Sequence, residues 1–242
     1  MKIRFTGLSD PGLVRSSNQD SYHTDPEGRF FIIADGMGGH AGGEEASQIA
    51  TREIRQYLLK NWYSSRSGQE LLQEACFQAN ESILQGQKNH PECADMGTTV
   101  VAFMIREGEL PCFAYVGDSR LYRFRDKELQ QITQDHTWVA RALKMGDISL
   151  EEARAHPFRH VLSRCLGRED LIEIDVQPLE IEKSDCLLLC SDGLTEELVD
   201  EDIAICLKEN SLLEKAAMFL VDGAKKEGGR DNITVVIINF ED

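Results

Sequence analysis

Two stretches of this 242-residue chain, Val100-Val101-Ala102-Phe103-Met104-Ile105 and Val235-Val236-Ile237-Ile238, are apolar at every position. They read as strands, the first within a strand from Thr98 to Ile105, and a strand apolar on both faces needs a covering layer on each side. Further strands are read at Ile3 to Ser9, Ser21 to Asp25 and Arg29 to Asp35, the last two joined through Pro26-Glu27-Gly28 as a hairpin. Others are expected at Pro111 to Val116, Leu121 to Phe124, Ile172 to Val176, Cys186 to Leu189 and Ile233 to Phe240. Between these blocks the apolar spacing turns helical. Ala46, Ile49, Ala50, Ile54, Tyr57 and Leu58 share one stripe, with Glu44 and Glu45 in the first turn. A second helix spans about Glu70 to Gln87, and later ones Asp200 to Lys208 and Leu212 to Lys225. Thr137 to about Leu166 is helical in character, broken by Gly146 and Pro157. Blocks of strands and blocks of helices without strict alternation predict an α+β fold, a four-layer α-β-β-α sandwich of two antiparallel sheets flanked by helices. No linker divides the chain, so residues 1–242 are read as one domain.

Two of the strands run into Asp-Gly: Asp35-Gly36 after Phe30 to Ala34, and Asp192-Gly193 after Leu187 to Ser191. Asp118 follows the Cys112 to Gly117 run and Asp231 precedes Ile233. A single Asp-Gly is more often a turn. Four carboxylates at strand ends are suited to converge on hard cations, which prefer oxygen ligands, and a glycine after Asp35 lets its carbonyl approach an ion.

Composition bears on partners. A net charge of -16 opposes a nucleic-acid partner, because binding phosphate backbones needs cationic surface, and it suits cation binding. No apolar stretch is long enough to cross a bilayer, and the N-terminal residues lack a signal core, so a cytoplasmic protein without membrane association is expected. Seven cysteines, several inside apolar patterns, read as reduced core residues. Within the acidic chain, Trp138 to Arg168 carries six Arg or Lys against three acids. This is either a solvated helix pair or a cationic element beside an anionic substrate.

Two divalent ions about 3.5–4 Å apart can hold a bridging hydroxide and aim it at phosphorus, with no protein nucleophile. In keeping with this, no cysteine is followed six positions later by arginine, and no Asp-x-Asp follows a strand. Arg15 is the planar cation chosen for the phosphoryl oxygens, and His40, in the glycine-dense loop after Asp35, is the candidate general acid.

The ordered series Val14-Arg15 to Asn18-Gln19-Asp20, Asp35-Gly36-Met37-Gly38-Gly39-His40, Met96-Gly97-Thr98-Thr99, Gly117-Asp118-Ser119-Arg120, Asp135-His136-Thr137, Ser191-Asp192-Gly193-Leu194 and Gly229-Arg230-Asp231-Asn232-Ile233-Thr234 resembles the type-2C (PPM) metal-dependent serine/threonine protein phosphatases over essentially the whole chain. The resemblance implies hydrolysis of phosphoserine and phosphothreonine on proteins with Mg2+ or Mn2+, two core ions and a third. It implies that Asp35, Asp192 and Asp231 bind the first ion, that Asp35 and the Gly36 carbonyl bind the second, and that Asp118 with Asp192 matches the third. Asp20 matches an acidic site that orders water, and Arg15 the phosphate-binding arginine. The 138–170 segment looks like the family's flap, which favours the cationic-element reading. Animal members carry their acid histidine where this chain has Met37, and His40 is the nearest substitute. The compact length is most similar to the cyanobacterial members acting on the nitrogen-signalling protein P-II, and a monomer is expected. An inactive phosphoprotein-holding module and a small-molecule phosphoesterase are the alternatives; the full set of carboxylates with Arg15 argues against the first.

Overall fold

The computed structural model describes residues 2–38 and 42–241. Its strands are β1 (Lys2–Asp10), β2 (Asp20–Thr24), β3 (Phe30–Met37), β4 (Gly97–Thr98), β5 (Val100–Met104), β6 (Cys112–Val116), β7 (Arg120–Arg125), β8 (Glu128–Gln131), β9 (Asp175–Pro178), β10 (Cys186–Cys190) and β11 (Ile233–Glu241). Its helices are α1 (Gly42–Asn61), α2 (Gly68–Asn89), α3 (Trp138–Met145), α4 (Leu150–Ala155), α5 (Asp192–Thr195), α6 (Asp200–Glu209) and α7 (Leu213–Glu227). One sheet runs β1-β11-β10-β7-β8; the other runs β2-β3-β5-β6-β9 with β4 against β3. All pairings are antiparallel.

The apolar runs are explained by three buried layers. On β5, Val100, Ala102 and Met104 face α1 and α2, while Val101 and Phe103 face the other sheet. On β11, Ile233, Val235 and Ile237 pack beneath α6 and α7, and Val236, Ile238 and Phe240 fill the space between the sheets. Every position therefore has an apolar neighbour, and the α-β-β-α order expected from sequence is the order found. The predicted stripe of α1 is buried at Ala46, Ile49, Ala50, Ile54 and Leu58. At α2, Ser67 forms a capping box with Glu70, which sets the start two residues before the predicted one. Among the described residues, no helix is long and apolar enough to cross a membrane.

Asp35-Gly36 lies at a strand end as expected, with β3 running through both residues, Asp35 opposite Asp20 on β2 and Gly36 opposite Thr98 on β4. Three local expectations are corrected. Asp192-Gly193 opens the short α5 rather than a loop. The segment after Thr137 is helical only to Ala155, with α3 closed by Gly146 at φ 78°. From His156 on it is irregular chain tied back by the bridges Thr137↔Leu162 and Thr98↔Leu166. The strand expected at Ile172 begins at Asp175 instead, leaving Ile172 90% exposed. The polar strand β8 gave no apolar signal; it returns from β7 through Asp126 and Lys127, both at positive φ.

Burial in the inter-sheet layer should dominate stability. Phe103→Ala is expected to lower the unfolding free energy by about 3–5 kcal/mol. Ile172→Ser should change it by less than about 0.5 kcal/mol. Urea denaturation of both variants checks the contrast.

Candidate metal centre

Antiparallel pairing brings the functional strand ends to one rim of the sandwich. Asp20 opens β2, Asp35 lies near the end of β3, Asp118 follows β6, Asp192 follows β10, and Asp231 precedes β11. These carboxylates feel one another. Burial, then Asp20, Asp192 and Asp118, hold the Asp35 carboxyl well above the usual range. Burial and Asp192 raise Asp118, and burial and Asp231 raise Asp192. Asp20 is pushed up to about 7, by burial first, against the two hydroxyl hydrogen bonds that favour its charged form.

The surrounding residues fix this crowd in place. Asp20 Oδ2 accepts from Ser191 Oγ at 2.7 Å and Thr234 Oγ1 at 2.6 Å, while its Oδ1 is buried with no partner. Thr98 Oγ1 donates to the Asp35 carbonyl at 2.8 Å, and Asp35 N–H donates to Thr99 Oγ1 at 3.0 Å. Thr99 in turn meets Ser119 Oγ at 2.7 Å beside Asp118. Asn232 is a hub: its Oδ1 accepts from Gln19 N–H at 2.8 Å, and its Nδ2 donates to the carbonyls of Pro11 at 3.0 Å and Ser17 at 2.9 Å. It thereby anchors the loop that carries Arg15 to the strand that follows Asp231.

The glycine at Gly36 is required by close packing: a Cβ there would lie 1.9 Å from the Gly43 carbonyl oxygen. At Gly117 the φ of 106° and the approach of Thr99 at 2.6 Å exclude a side chain. His136 pins this turn from the other side. Its Nδ1 accepts from Gly117 N–H at 3.1 Å, and the His136 main-chain N–H donates to the Gly117 carbonyl at 2.9 Å. Burial, then the Arg164 guanidinium, push the His136 imidazole down to about 4, leaving it the neutral acceptor this contact needs. Arg120 of the same turn is paired in a fork to Asp135, at 3.0 and 2.7 Å.

Of the residues singled out from sequence, Asp20, Asp35, Gly36, Asp118, Asp192 and Asp231 come together at this rim. Arg15 joins them, half-exposed, with Nη2 2.6 Å from Asp231 Oδ2 and within the field of Asp192 and Asp35. His40 lies outside the described residues. Ser191, Thr234, Thr98, Thr99, Asn232 and His136 carry no charge signal that sequence reading could weigh. All six stand inside the quoted motifs: Ser191, Asn232 and His136 beside an aspartate, Thr98 and Thr99 in Met96-Gly97-Thr98-Thr99, and Thr234 at the close of the last motif. An all-oxygen donor set, mutually repelling and including buried unpartnered Oδ1 atoms of Asp20 and Asp192, fits hard divalent cations.

Known proteins resemble this chain in sequence and in fold. The model of the protein phosphatase 2C family matches residues 14–223. The chain is 34% identical over 236 residues to the serine/threonine phosphatase stp of Listeria monocytogenes, covering 95% of this chain and 93% of that protein. It is 33% identical to the protein phosphatase PhpP of Streptococcus pneumoniae, covering 97% and 96%. The crystal structure of the Mycobacterium tuberculosis serine/threonine phosphatase PstP/Ppp superimposes with a TM-score of 0.89 at 37% identity, covering 99% of each chain. The catalytic domain of PstP in complex with two manganese ions gives 0.87 at 35% identity, again covering 99% of each. The chain belongs to the protein phosphatase 2C family.

The raised Asp20 gives a pH signature. The ordinary carboxylate value near 3.9 applies to the unfolded chain. An acid whose folded value is higher holds its proton more tightly when folded, so its stabilising contribution is complete below pH about 4 and is lost as pH rises through about 7. Chelator-treated protein should therefore melt at a lower temperature at pH 8 than at pH 5, and Asp20→Asn should narrow the difference. Scanning calorimetry at the two pH values decides; equal melting temperatures would contradict the assignment.

Proposed function

We infer that this chain is a metal-dependent serine/threonine protein phosphatase, hydrolysing phosphoserine and phosphothreonine on protein substrates. The observation that carries this reading is the gathering of Asp20, Asp35, Asp118, Asp192 and Asp231 on one rim with the Arg15 guanidinium among them. Asp35, Asp192 and Asp231 are proposed to hold the first ion and Asp35 with the Gly36 carbonyl the second. A third goes to Asp118 with Asp192. Mg2+ or Mn2+ would serve; the two manganese ions named for PstP support the latter. When bound, such ions supply Lewis-acid charge to the phosphoryl oxygens and bring water's ionisation towards neutral pH.

The chain's own groups do the rest. Arg15 presents planar N–H donors to phosphoryl oxygens, exchanging its contact with Asp231 for the substrate. Asp20, held by two hydroxyls through one oxygen, keeps the other to accept a hydrogen bond from water. His40 is proposed as the acid that protonates the departing serine or threonine alkoxide. Water rather than a side chain is the attacking group: burial pushes the thiols of Cys76, Cys112, Cys186 and Cys190 up to about 12, and none belongs to the rim. Residues 1–242 are proposed as one catalytic domain with a flap at 138–170, working as a cytoplasmic monomer. P-II is the proposed phosphoprotein substrate, a choice supported by the motif and length resemblance.

Hydrolysis of an aryl phosphate and of a phosphoserine peptide should require Mn2+ or Mg2+; inactivity with both would refute the reading. Asp231→Ala should reduce turnover by at least about a hundredfold. Release of phosphate from phosphorylated P-II tests the substrate choice separately.

Loss of Arg15 should act on phosphate recognition. Arg15→Ala is expected to reduce kcat/KM by about 10–100-fold, the equivalent of one charge-assisted hydrogen bond of roughly 1.5–3 kcal/mol. Steady-state kinetics on the peptide provide the check, and a value close to wild type would remove Arg15 from the site.

A further inference from the structure

Two large apolar side chains directly precede the arginine of the rim. Leu13 is 63% exposed and Val14 68% exposed, and Arg15 follows them. Single apolar residues scattered over a surface are ordinary, whereas a contiguous exposed pair beside a site has something to contact. The loop that carries the pair is fixed by its own sequence. Pro11 and Gly12 make a tight turn, with Gly12 at φ 77°, where a Cβ would lie 2.2 Å from the Asp231 carbonyl oxygen. Asp10 Oδ1 accepts from Gly12 N–H at 2.8 Å, and Lys225 Nζ holds Asp10 Oδ2 at 2.8 Å. Leu13 N–H donates to the Gly229 carbonyl at 2.7 Å, and a Cβ on Gly229 would meet Leu13 Cγ at 3.0 Å. The Leu13 side chain therefore lies over the segment that leads into Asp231, whose Oδ2 is 2.6 Å from Arg15 Nη2.

We propose that Leu13 and Val14 form an apolar subsite for a side chain next to the phosphorylated residue, selecting phosphoprotein segments with leucine or a similar apolar residue there. The inference rests on the phosphatase reading above, in which Arg15 meets the phosphoryl oxygens. A substrate chain advances at most about 3.6 Å per residue, so with its phosphoryl group on Arg15 the adjoining side chains stay within reach of the two residues before it. Because the loop is already held in place, the contact needs little ordering, and apolar area removed from water on both partners converts into affinity. A polar neighbour gains no such burial. The pair thus discriminates among protein substrates, while the chemistry at the carboxylates is the same for all of them.

The test is a set of phosphoserine peptides, identical but for a single leucine moved through the positions on either side of the phosphoserine, against a parent with serine at those positions. With the full chain in Mn2+, leucine at one adjoining position should raise kcat/KM at least about fivefold over the parent, and the gain should lie in KM. The double variant Leu13→Ser, Val14→Ser should treat all the peptides alike, within about twofold of the wild-type value for the parent. The double variant Leu13→Met, Val14→Ile should restore the preference, and both should keep wild-type circular dichroism. A wild type indifferent to leucine, or a serine variant that keeps the preference, would overturn the subsite. So would an equal loss on every peptide, because the loop would then act only by placing Arg15. Wild type with no turnover of any peptide in Mn2+ would defeat the phosphatase reading instead. Fluorescence anisotropy of the labelled peptides would then still rank wild type against the serine variant and decide the subsite.

Discussion

Mutual repulsion among buried carboxylates is the constraint around which this molecule is organised. Asp20, Asp35, Asp118 and Asp192 are all held above the ordinary carboxylate range, chiefly by burial and then by one another. No arrangement of flexible loops would keep such groups together, because each would swing out to water. They stay because strands carry them. Two sheets with three apolar layers supply the burial that offsets the local cost, and hydroxyl and amide groups from Ser191, Thr234, Thr98, Thr99 and Asn232 hold the rim in register.

The balance between rim and core clarifies why the glycines are where they are. At Gly36 the chain runs against the Gly43 carbonyl, and at Gly117 against the Thr99 side chain, with no room for a methyl group at either. Such close approach lets the elements that carry the aspartates pack directly on one another. The same economy is seen at Gly193, where a Cβ would meet the Asn232 carbonyl at 2.1 Å.

Much of this was legible in sequence, for identifiable reasons. Strands apolar at every position, such as Val100 to Met104, announce a doubly covered sheet, and the four-layer order follows. Asp35, Asp118, Asp192 and Asp231 were visible because charge beside an apolar run is conspicuous, whereas Asp20 came only from the motif resemblance. What escaped were features without an apolar period: the polar strand β8, the two-residue β4, and the irregular chain after Ala155, where Arg159, His160 and Arg164 follow no helical face. Asp35-Gly36 was legible as a strand end; its dipeptide favours turns, yet pairing with β2 and β4 overrides local preference and carries the strand through it. The neutral polar hubs were illegible as well, since Asn232 and Thr99 act through contacts with partners more than sixty positions away.

Thr98 is a mechanical link. Its N–H and carbonyl pair with Leu166 at 3.2 and 2.8 Å, in the irregular chain after α4, and its hydroxyl donates to the Asp35 carbonyl at 2.8 Å. A displacement of Leu166 is thus passed through Thr98 to the peptide plane between Asp35 and Gly36.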